Sequence, residues 1–371
     1  MIIGIPKEIK NNESRVSATP ATVLSLVKAG QSVKVETNAG IMSSFPDEEY
    51  VEAGAEIVST PEEAWDADLI YKVKEPLESE YDFFKEGQII YTYLHLSANK
   101  ELTQKMLDKK VIGIAYETVQ VGRSLPLLKP MSEVAGRIAA IEGVHYLQKT
   151  KDGIGKLVSG VPGVEPVHAV VIGGGIAGTA AIRMLVGMGA RVTVLDIVLE
   201  RLGELVDIFG SQIETRYSNS LNIENSIKDA ELVISTVLIP GKKAPQLISE
   251  DHVKMMKKGS VIVDVAIDQG GSTDITASNP PTTHDNPVFE RHGVIHYSVA
   301  NIPGAVPMTS TSALSNATTQ YLMQIVNKGW KEACKAKPEL ASGVNVAEGY
   351  VTYKNVAEDL GFKYKDISEL L

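Results

Sequence analysis

Residues 168–196 read HAVVIGGGIAGTAAIRMLVGMGARVTVLD, and this stretch decides the fold of the chain around it. The apolar run Ala169 to Ile172 leads into Gly173-Gly174-Gly175-Ile176-Ala177-Gly178, which fits the pattern G-x-G-x-x-G, and a helical pattern follows. In such a unit the first glycine permits a tight turn, the second lets a phosphate approach the backbone, and the third allows close helix-to-strand packing. The stretch therefore predicts a parallel α/β domain that binds a dinucleotide at a helix N-terminus.

The strand after this helix, RVTVLD, ends in Asp196, 18 residues beyond Gly178. An acid at this offset can hydrogen-bond the adenosine ribose hydroxyls, and its charge disfavours a 2′-phosphate, so NAD is predicted rather than NADP. Arg201 keeps an alternative open, because a guanidinium that turned toward the ribose would offset Asp196 and admit some NADP. A glycine-rich turn without a ligand is the other interpretation, and the strand, helix and acid at their expected offsets argue against it.

The rest of the chain predicts a second α/β domain. With 371 residues the protein exceeds what one hydrophobic core usually supports. From Met1 to about Leu128, β-branched runs such as MIIGI, SVKVET, DLIYKV and QIIYTYL alternate with helical patterns. A long helix is predicted after Pro130, and another from about Met308 to Lys328. We expect two doubly wound, Rossmann-like domains with parallel sheets, joined by long helices, with a cleft between them.

Composition excludes several classes of function. A formal net charge of −10, without any basic run, argues against nucleic-acid binding. No apolar stretch reaches the roughly 20 residues of a membrane helix, and MIIGIPKEIK lacks the apolar region of a secretory signal. The single cysteine, Cys334, cannot form an intramolecular disulfide. We expect a cytoplasmic protein with small-molecule partners.

Three polar side chains are predicted near the ends of strands, where open α/β sheets bind ligands. Alternation along DLIYKVKEP puts Lys72 and Lys74 on one strand face, and Lys74 is either a partner for a substrate carboxylate or a solvated edge lysine. His95 ends QIIYTYLHL and is either an acid/base or a structural histidine. Asp268, after SVIVDVAI, either borders the same cleft or caps a loop.

The histidines do not predict a metal site. His292 and His296 lie in the strand-like run RHGVIHYSV, where four residues span about 13 Å. No metal is predicted.

The chain resembles the alanine dehydrogenase family, within the larger group that also contains pyridine nucleotide transhydrogenases, along essentially its whole length. The matching segments are GIPKEIKNNESRV, KVKEP, YTYLHL, PMSEVAGRIAAIEG, the glycine motif, DVAIDQGG and NIPGAVPMTSTSALSNAT. The resemblance implies a substrate domain formed by residues 1–128 with 305–371, and an NAD-binding domain formed by residues 129–304 including the connecting helix. It also implies a homohexamer.

Carried over position by position, the resemblance places the substrate-carboxylate ligands at Arg15 and Lys74. It places the acid/base residues at His95 and Asp268. The implied cofactor contacts are Ser132, Gly173, Gly174, Gly175, Ile176, Ala177, Gly178, Asp196, Arg201, Ser218, Val237, Leu238, Ile267, Asp268 and Asn301.

The implied activity is reversible, NAD-dependent oxidative deamination of L-alanine to pyruvate and ammonium. A soluble NAD(H)-binding subunit of a proton-translocating transhydrogenase is the first alternative, and Lys74 together with His95 favours the dehydrogenase. A non-catalytic NAD(H) sensor is the second alternative, which the acid/base candidates disfavour.

Overall fold

The computed structural model describes residues 1–237 and 243–371. The chain forms two compact units. The terminal unit comprises Met1–Met131 and Val306–Leu371, and the central unit comprises Ser132–Ala305. The first boundary falls within the first turn of the helix Lys129–Tyr146.

The elements of the described residues alternate between strand and helix over most of the chain. The strands are β1 (Ile2–Ile5), β2 (Ser32–Glu36), β3 (Glu56–Val58), β4 (Leu69–Tyr71), β5 (Ile89–Thr92), β6 (Ile112–Ala115), β7 (His168–Ile172), β8 (Arg191–Asp196), β9 (Ile213–Tyr217), β10 (Leu232–Ser235), β11 (Val261–Asp264), β12 (Val288–Arg291), β13 (Val294–Tyr297), β14 (Val344–Ala347) and β15 (Tyr350–Val351). The α-helices are α1 (Pro20–Lys28), α2 (Asp47–Glu52), α3 (Pro61–Trp65), α4 (Lys100–Asp108), α5 (Lys129–Tyr146), α6 (Ile176–Gly187), α7 (Leu199–Phe209), α8 (Ser220–Ile227), α9 (Glu250–Met255), α10 (Asp274–Ser278), α11 (Pro307–Lys328), α12 (Trp330–Ala336), α13 (Pro338–Ala341) and α14 (Lys354–Leu360).

The terminal unit is built on an eight-stranded sheet among the described residues, in the order β15-β14-β6-β5-β4-β1-β2-β3. The strands from β3 to β6 pair in parallel, and β14 adds to β6 antiparallel. The chain starts at β1 in the interior, builds outward to β3, and then returns to β4 on the other side of β1. This reversal between β1 and β4 is the point where open α/β sheets leave a crevice for ligands.

The central unit repeats this plan in a sheet of seven described strands, in the order β12-β13-β11-β10-β7-β8-β9. All neighbours pair in parallel except β12 and β13. The central strand β7 is buried on both faces, since Ala169 and Val171 join one apolar cluster while Val170 and Ile172 join the other. The prediction of two parallel-sheet α/β domains is therefore confirmed.

Local sequence explains where several helices begin. Helix α1 starts at Pro20 after Thr19, whose side chain accepts the amide hydrogen of Thr22. Helix α11 likewise begins with a proline, Pro307. Within the described residues, no helix is both long and apolar enough to cross a bilayer.

Three details of the expected secondary structure were wrong. His292 and His296 do not share one strand, because Arg291 ends β12, His292 lies in a turn with φ of 56°, and β13 returns antiparallel. Strand β4 ends at Tyr71, before Lys72, although backbone hydrogen bonds from Lys72 to Tyr91 and from Tyr93 to Val73 continue the pairing. The proline- and asparagine-rich composition of TASNPPTTHDNP predicts a loop, but its first three residues belong to α10.

His296 on β13 is a fully buried imidazole, and neither of its ring nitrogens has a hydrogen-bond partner among the residues that the structure describes. It pairs in register with Ile262 and stacks on Phe289 with ring centroids 5.0 Å apart. Burial, together with the charges of the nearby His292 and Arg291, lowers the pKa of His296 from 6.5 to about 4. The folded state therefore disfavours the protonated ring.

We predict that His296→Leu loses less unfolding free energy than the wild type when the pH is lowered. The unfolded chain binds a proton at this position below about pH 6.5, whereas the folded chain does so only near pH 4. The wild type should therefore lose roughly 3 kcal/mol of unfolding free energy as the pH falls across this window. Urea midpoints of both proteins between pH 7.5 and 4.5 test this, since acid effects elsewhere in the chain cancel in the difference. A constant difference across that range would contradict the prediction.

Candidate active site

In the terminal unit, the crevice between β1 and β4 is bordered by two loops, one after each of these strands. The first carries Arg15 and the second carries Lys74. The next strand, β5, leads to His95. The three residues that were predicted for substrate binding and proton transfer therefore follow β1, β4 and β5 at the same edge of the sheet.

Arg15 forms a buried, two-pronged ion pair with Glu13. Its Nε and Nη2 donate to the two carboxylate oxygens of Glu13 at 2.6 and 2.5 Å, and its Nη1 lies 2.9 Å from the sulfur of Met131. The side chains of Arg15 and Glu13 are only 1% and 0% exposed. Although burial alone raises the pKa of Glu13, the hydrogen bonds and charge of Arg15 bring that pKa below its usual range. Because the pair carries little net charge, Arg15 can contribute to the binding of a ligand mainly through its shape and through N–H groups held in fixed directions.

Lys74 presents a second cation beside this pair. Its side chain is half-buried, and in the described part of the chain its ammonium group makes no hydrogen bond or ion pair. Burial lowers the pKa of Lys74, and the neighbouring charge of Arg15 lowers it further. An ammonium group with no internal acceptor, next to a guanidinium, is suited to hold the carboxylate of a small ligand.

Lys72, two residues earlier, differs completely from Lys74. Its ammonium group is buried and lies 2.7 Å from Glu80 and 3.4 Å from Glu8. The alternating pattern made the two lysines equivalent in the sequence. In the structure Lys72 is a structural lysine, whereas Lys74 is available to a ligand.

His95 lies three residues beyond the end of β5, with φ of 48°. Its backbone amide donates to Glu117 at 2.6 Å, and its Nδ1 lies 3.8 Å from the same carboxylate. The ring stacks on Tyr93 with centroids 5.9 Å apart, and the side chain is 47% exposed. Tyr93 is itself fixed by donating its hydroxyl hydrogen to the Leu127 carbonyl at 2.7 Å. The imidazole is thus oriented on one side and open to a ligand on the other.

The glycine turn of the central unit has the geometry that a phosphate site requires. Gly173 has φ of 98°, a conformation that side chains rarely adopt. A Cβ at Gly178 would lie 1.9 Å from the Gly173 carbonyl oxygen, so only glycine permits this turn. A Cβ at Gly175 would meet nothing within 4 Å, which leaves the backbone open to a ligand.

Helix α6 begins beside this opening, and no side chain of the described residues caps it at Gly175. Its first amides therefore remain available to an anion. The position of this first turn is fixed by α5, since a Cβ at Gly136 would lie 2.0 Å from the Ala177 carbonyl oxygen. The two helices consequently touch through their backbones, with Ile176 and Ala177 partly exposed at the opening.

Asp196 ends β8 as predicted and braces the turn. One carboxylate oxygen accepts the Gly174 amide hydrogen at 2.6 Å, and the other accepts that of Val198 at 2.9 Å. Arg201 donates from Nε to the Gly174 carbonyl at 2.7 Å and from Nη2 to the Thr179 hydroxyl at 2.6 Å. The guanidinium is therefore held on the turn.

Asp268 lies in a short 3-10 helix, Ile267–Gln269, directly after β11. It is exposed, and its carboxylate accepts the backbone amide hydrogen of Asn301 at 3.3 Å. The loop that carries it is anchored by Asp264, which is fully buried and accepts hydrogen bonds from Ala266, Ser272 and Thr276. A rigid loop thus presents an exposed acid.

The other residues implied as cofactor contacts are distributed over the central unit. Ser132 is in the first turns of α5, Ser218 follows β9 and donates its amide hydrogen to the Asp196 carbonyl at 2.9 Å, and Val237 follows β10. Ile267 is buried, while Asn301 adopts φ of 57°. Leu238 lies outside the described residues.

Sequence reasoning missed four carboxylates that organise these sites: Glu8, Glu13, Glu117 and Asp264. Glu13 was detectable in principle, because it stands two residues from Arg15 in NNESRV. Glu117 and Glu8 contact backbone amides that are distant in sequence, so no local pattern identifies them. Asp264 lies in an apolar strand, where a charged residue signals a special role.

Comparison with protein families assigns both parts of the chain. Residues 4–135 match the family model described as "Alanine dehydrogenase/PNT, N-terminal domain", and residues 139–354 match "Alanine dehydrogenase/PNT, C-terminal domain". The chain belongs to the alanine dehydrogenase/PNT family. The resemblance inferred from the sequence motifs is confirmed.

Individual members of the family match the full length. The chain is 55% identical over 372 residues to alanine dehydrogenase 2 of Staphylococcus aureus, and 56% identical over 373 residues to alanine dehydrogenase of Methanococcus maripaludis, with complete coverage of both chains in each case. A solved structure of L-alanine dehydrogenase superposes with a TM-score of 0.93 at 46% identity, covering 97% of this chain and 99% of that one. A transhydrogenase from Sinorhizobium meliloti gives a TM-score of 0.80 at 25% identity, covering 95% and 99%.

Proposed function

We propose that the protein is an oxidoreductase that catalyses the reversible, NAD-dependent oxidative deamination of L-alanine to pyruvate and ammonium. The observation that carries this proposal is the ammonium of Lys74, which has no partner among the described residues and lies at the crevice position with Arg15 and His95 at the same sheet edge. The chain also matches alanine dehydrogenases over its full length. The central unit is proposed as the NAD-binding domain, and the terminal unit as the substrate domain.

The glycine turn and Asp196 fit the dinucleotide. The open position at Gly175 and the uncapped start of α6 suit a pyrophosphate, and the Asp196 carboxylate suits ribose hydroxyls. We propose Ser132, Ser218, Val237, Leu238, Ile267 and Asn301 as further contacts, because the resemblance implies them. When bound, NAD accepts a hydride from the substrate carbon and NADH returns it.

Lys74 and Arg15 are proposed to bind the substrate carboxylate. Lys74 supplies the unneutralised charge, and Arg15 supplies directed N–H donors in a position fixed by Glu13. Fixing the carboxylate orients the reacting carbon, which converts binding into a rate advantage.

His95 and Asp268 are proposed to move the protons that accompany the addition of water and the loss of ammonia. His95 has an imidazole nitrogen near Glu117, which can orient the ring, and Asp268 is an exposed acid on an anchored loop. Both groups can therefore exchange protons with a ligand.

The proposal is tested by mixing the protein with NADH, pyruvate and ammonium and following the loss of NADH absorbance. Oxidation that requires both pyruvate and ammonium supports the dehydrogenase. Oxidation that requires a second nucleotide and a partner protein would instead support the transhydrogenase, and binding of NADH without turnover would support the sensor.

We also propose a cytoplasmic homohexamer, because the resemblance implies that assembly. Light scattering of the purified protein should give six times the mass of one 40.0 kDa chain. A monomer would contradict it.

Lys74→Met should raise the KM for pyruvate by about 10- to 100-fold, because one charge-assisted hydrogen bond contributes about 1.5–3 kcal/mol. The KM for NADH should not change, since Lys74 belongs to the terminal unit and the glycine turn to the central unit. Lys335→Met is the control, since that lysine belongs to the same unit and is paired with Glu332 on the exposed side of α12. A pyruvate KM that is unchanged in Lys74→Met would remove this lysine from the substrate site.

The enzyme should use NADH at least about 100-fold more efficiently than NADPH, as kcat/KM, because a 2′-phosphate would meet the Asp196 carboxylate. Asp196→Ser should lower the ratio of kcat/KM for NADH to that for NADPH, mainly by raising kcat/KM for NADPH. Steady-state kinetics with both cofactors measure it. Equal use of the two cofactors by the wild type would contradict the assignment.

A further inference from the structure

Glu8 is a fully buried carboxyl group, on the loop after β1, that holds the backbone carrying Lys74. Its Oε1 accepts the amide hydrogen of Val73 at 2.6 Å and that of Lys74 at 3.4 Å. On the other side, the Thr92 hydroxyl donates to the Lys74 carbonyl at 2.9 Å. Both backbone polar groups of Lys74 are therefore held by side chains, although the residue lies beyond the end of β4.

We propose that Glu8 is a positioning residue for substrate binding: by fixing the amides of Val73 and Lys74, its carboxyl group holds the Lys74 ammonium where the substrate carboxylate binds. This inference rests on the proposed function, because it takes Lys74 as the carboxylate ligand. Glu8 does not touch the ligand and acts through Lys74.

The charge around Glu8 gives this role a pH dependence. The groups that face Glu8 are Lys72, Glu80, Glu13, Arg15 and Tyr116. Lys72 lies nearer to Glu80 than to Glu8, so one ammonium serves two buried carboxyl groups. Burial raises the pKa of Glu8 to about 7, against the opposing charge of Lys72.

The protonation state of Glu8 should therefore change the attraction for an anion at Lys74. Below about pH 7 the carboxyl group is neutral, and the cluster of Arg15, Lys72 and Lys74 with Glu13 and Glu80 carries net positive charge. Above about pH 7 Glu8 adds a negative charge, which weakens the binding of a carboxylate. The KM for pyruvate should increase as the pH is raised through 7, by up to about tenfold per pH unit.

The test compares Glu8→Asp and Glu8→Gln with the wild type between pH 6 and 8. Aspartate keeps the charge but is one methylene shorter, so it withdraws from the two amides. We expect a pyruvate KM raised by about tenfold or more, a kcat within about threefold of the wild type, and an unchanged KM for NADH. Glutamine keeps the reach and the acceptor oxygen but cannot ionise. It should keep the pyruvate KM within about threefold at pH 6 and lack the rise in KM above pH 7.

Glu36→Gln is the matched control. Glu36 is also a buried carboxylate that accepts a backbone amide hydrogen, that of Lys7 at 2.9 Å, and it also lies in the field of Lys72. Within the described chain it makes no hydrogen bond or ion pair to Val73 or Lys74. We expect its pyruvate KM and pH profile to match those of the wild type.

The outcomes separate the inference from the proposed function. A wild type that fails to oxidise NADH with pyruvate and ammonium would refute the proposed function. An active wild type with an unaltered pyruvate KM in Glu8→Asp would refute the inference alone, as would equal losses in kcat and NADH binding. If Glu8→Asp does not fold, the pH profile of Glu8→Gln decides. A pyruvate KM that rises above pH 7 in Glu8→Gln as steeply as in the wild type would overturn the inference.

Discussion

Replacing His95 with asparagine should lower kcat by about 10²- to 10⁴-fold while NADH still binds with wild-type affinity. A positioned acid/base group typically contributes a factor of this size, and the glycine turn that is proposed to bind NADH belongs to the other unit. Asparagine is chosen because His95 has φ of 48°, a conformation that asparagine tolerates better than alanine. Stopped-flow or steady-state NADH oxidation gives kcat, and NADH fluorescence gives affinity.

His292→Asn provides the control for this experiment. His292 has a similar backbone conformation, with φ of 56°, and also lies beside a glutamate, with its Nε2 2.6 Å from Glu250. It belongs to the β12–β13 turn of the central unit and has no proposed role in the reaction. Its substitution should leave kcat unchanged. An unchanged kcat in His95→Asn would remove His95 from the mechanism.

Arg15→Met should destabilise the protein by about 3–5 kcal/mol and also raise the KM for pyruvate. Methionine preserves most of the volume, so the main effect is to leave the Glu13 carboxylate buried without its cation. That carboxylate lies in the field of Lys74, and it would then compete with the substrate for the remaining charge. Urea unfolding gives the stability, and NADH oxidation gives KM.

Two further variants test whether the lost stability comes from the uncompensated charge of the buried Glu13 carboxylate. The double variant Arg15→Met with Glu13→Gln should recover much of the lost stability, because it removes the uncompensated charge. Arg137→Met should cost less than about 1 kcal/mol, because the Arg137–Glu133 pair is exposed on one face of a helix. If Arg15→Met were as stable as Arg137→Met, the buried ion pair would have no special importance.

The sequence predicted the local parts of the site well, because those parts depend on short-range geometry. The glycine turn needs positions 173, 175 and 178 within one strand–turn–helix unit, and the offset to Asp196 is the length of that unit. The long helices α5 and α11 were visible as continuous apolar periodicity. These features follow from periodicity and chain stereochemistry alone.

Features that depend on tertiary contact could not be predicted in the same way. Alternation made Lys72 and Lys74 equivalent, and only Glu8 and Glu80, brought near by other parts of the chain, distinguish them. His292 looked like a strand residue because no Asn-Gly or Asp-Gly pair announced the hairpin. Strand β3 and helix α3 were overlooked because they are short.

Helix α3 nevertheless carried a readable signal. Thr60, Pro61 and Glu63 form a capping box with proline at the first position, and the structure contains both of its hydrogen bonds. A search for start signals, and not only for periodicity, would have found it.

The backbone contact between α5 and α6 carries a consequence for engineering. Because a Cβ at Gly136 would clash with the Ala177 carbonyl, the amides that are proposed to bind phosphate depend on a residue 37 positions before the first glycine of the motif. Grafting residues 168–196 into another scaffold would leave this support behind. The smallest transferable unit for the proposed dinucleotide site therefore starts in α5, upstream of the glycine motif.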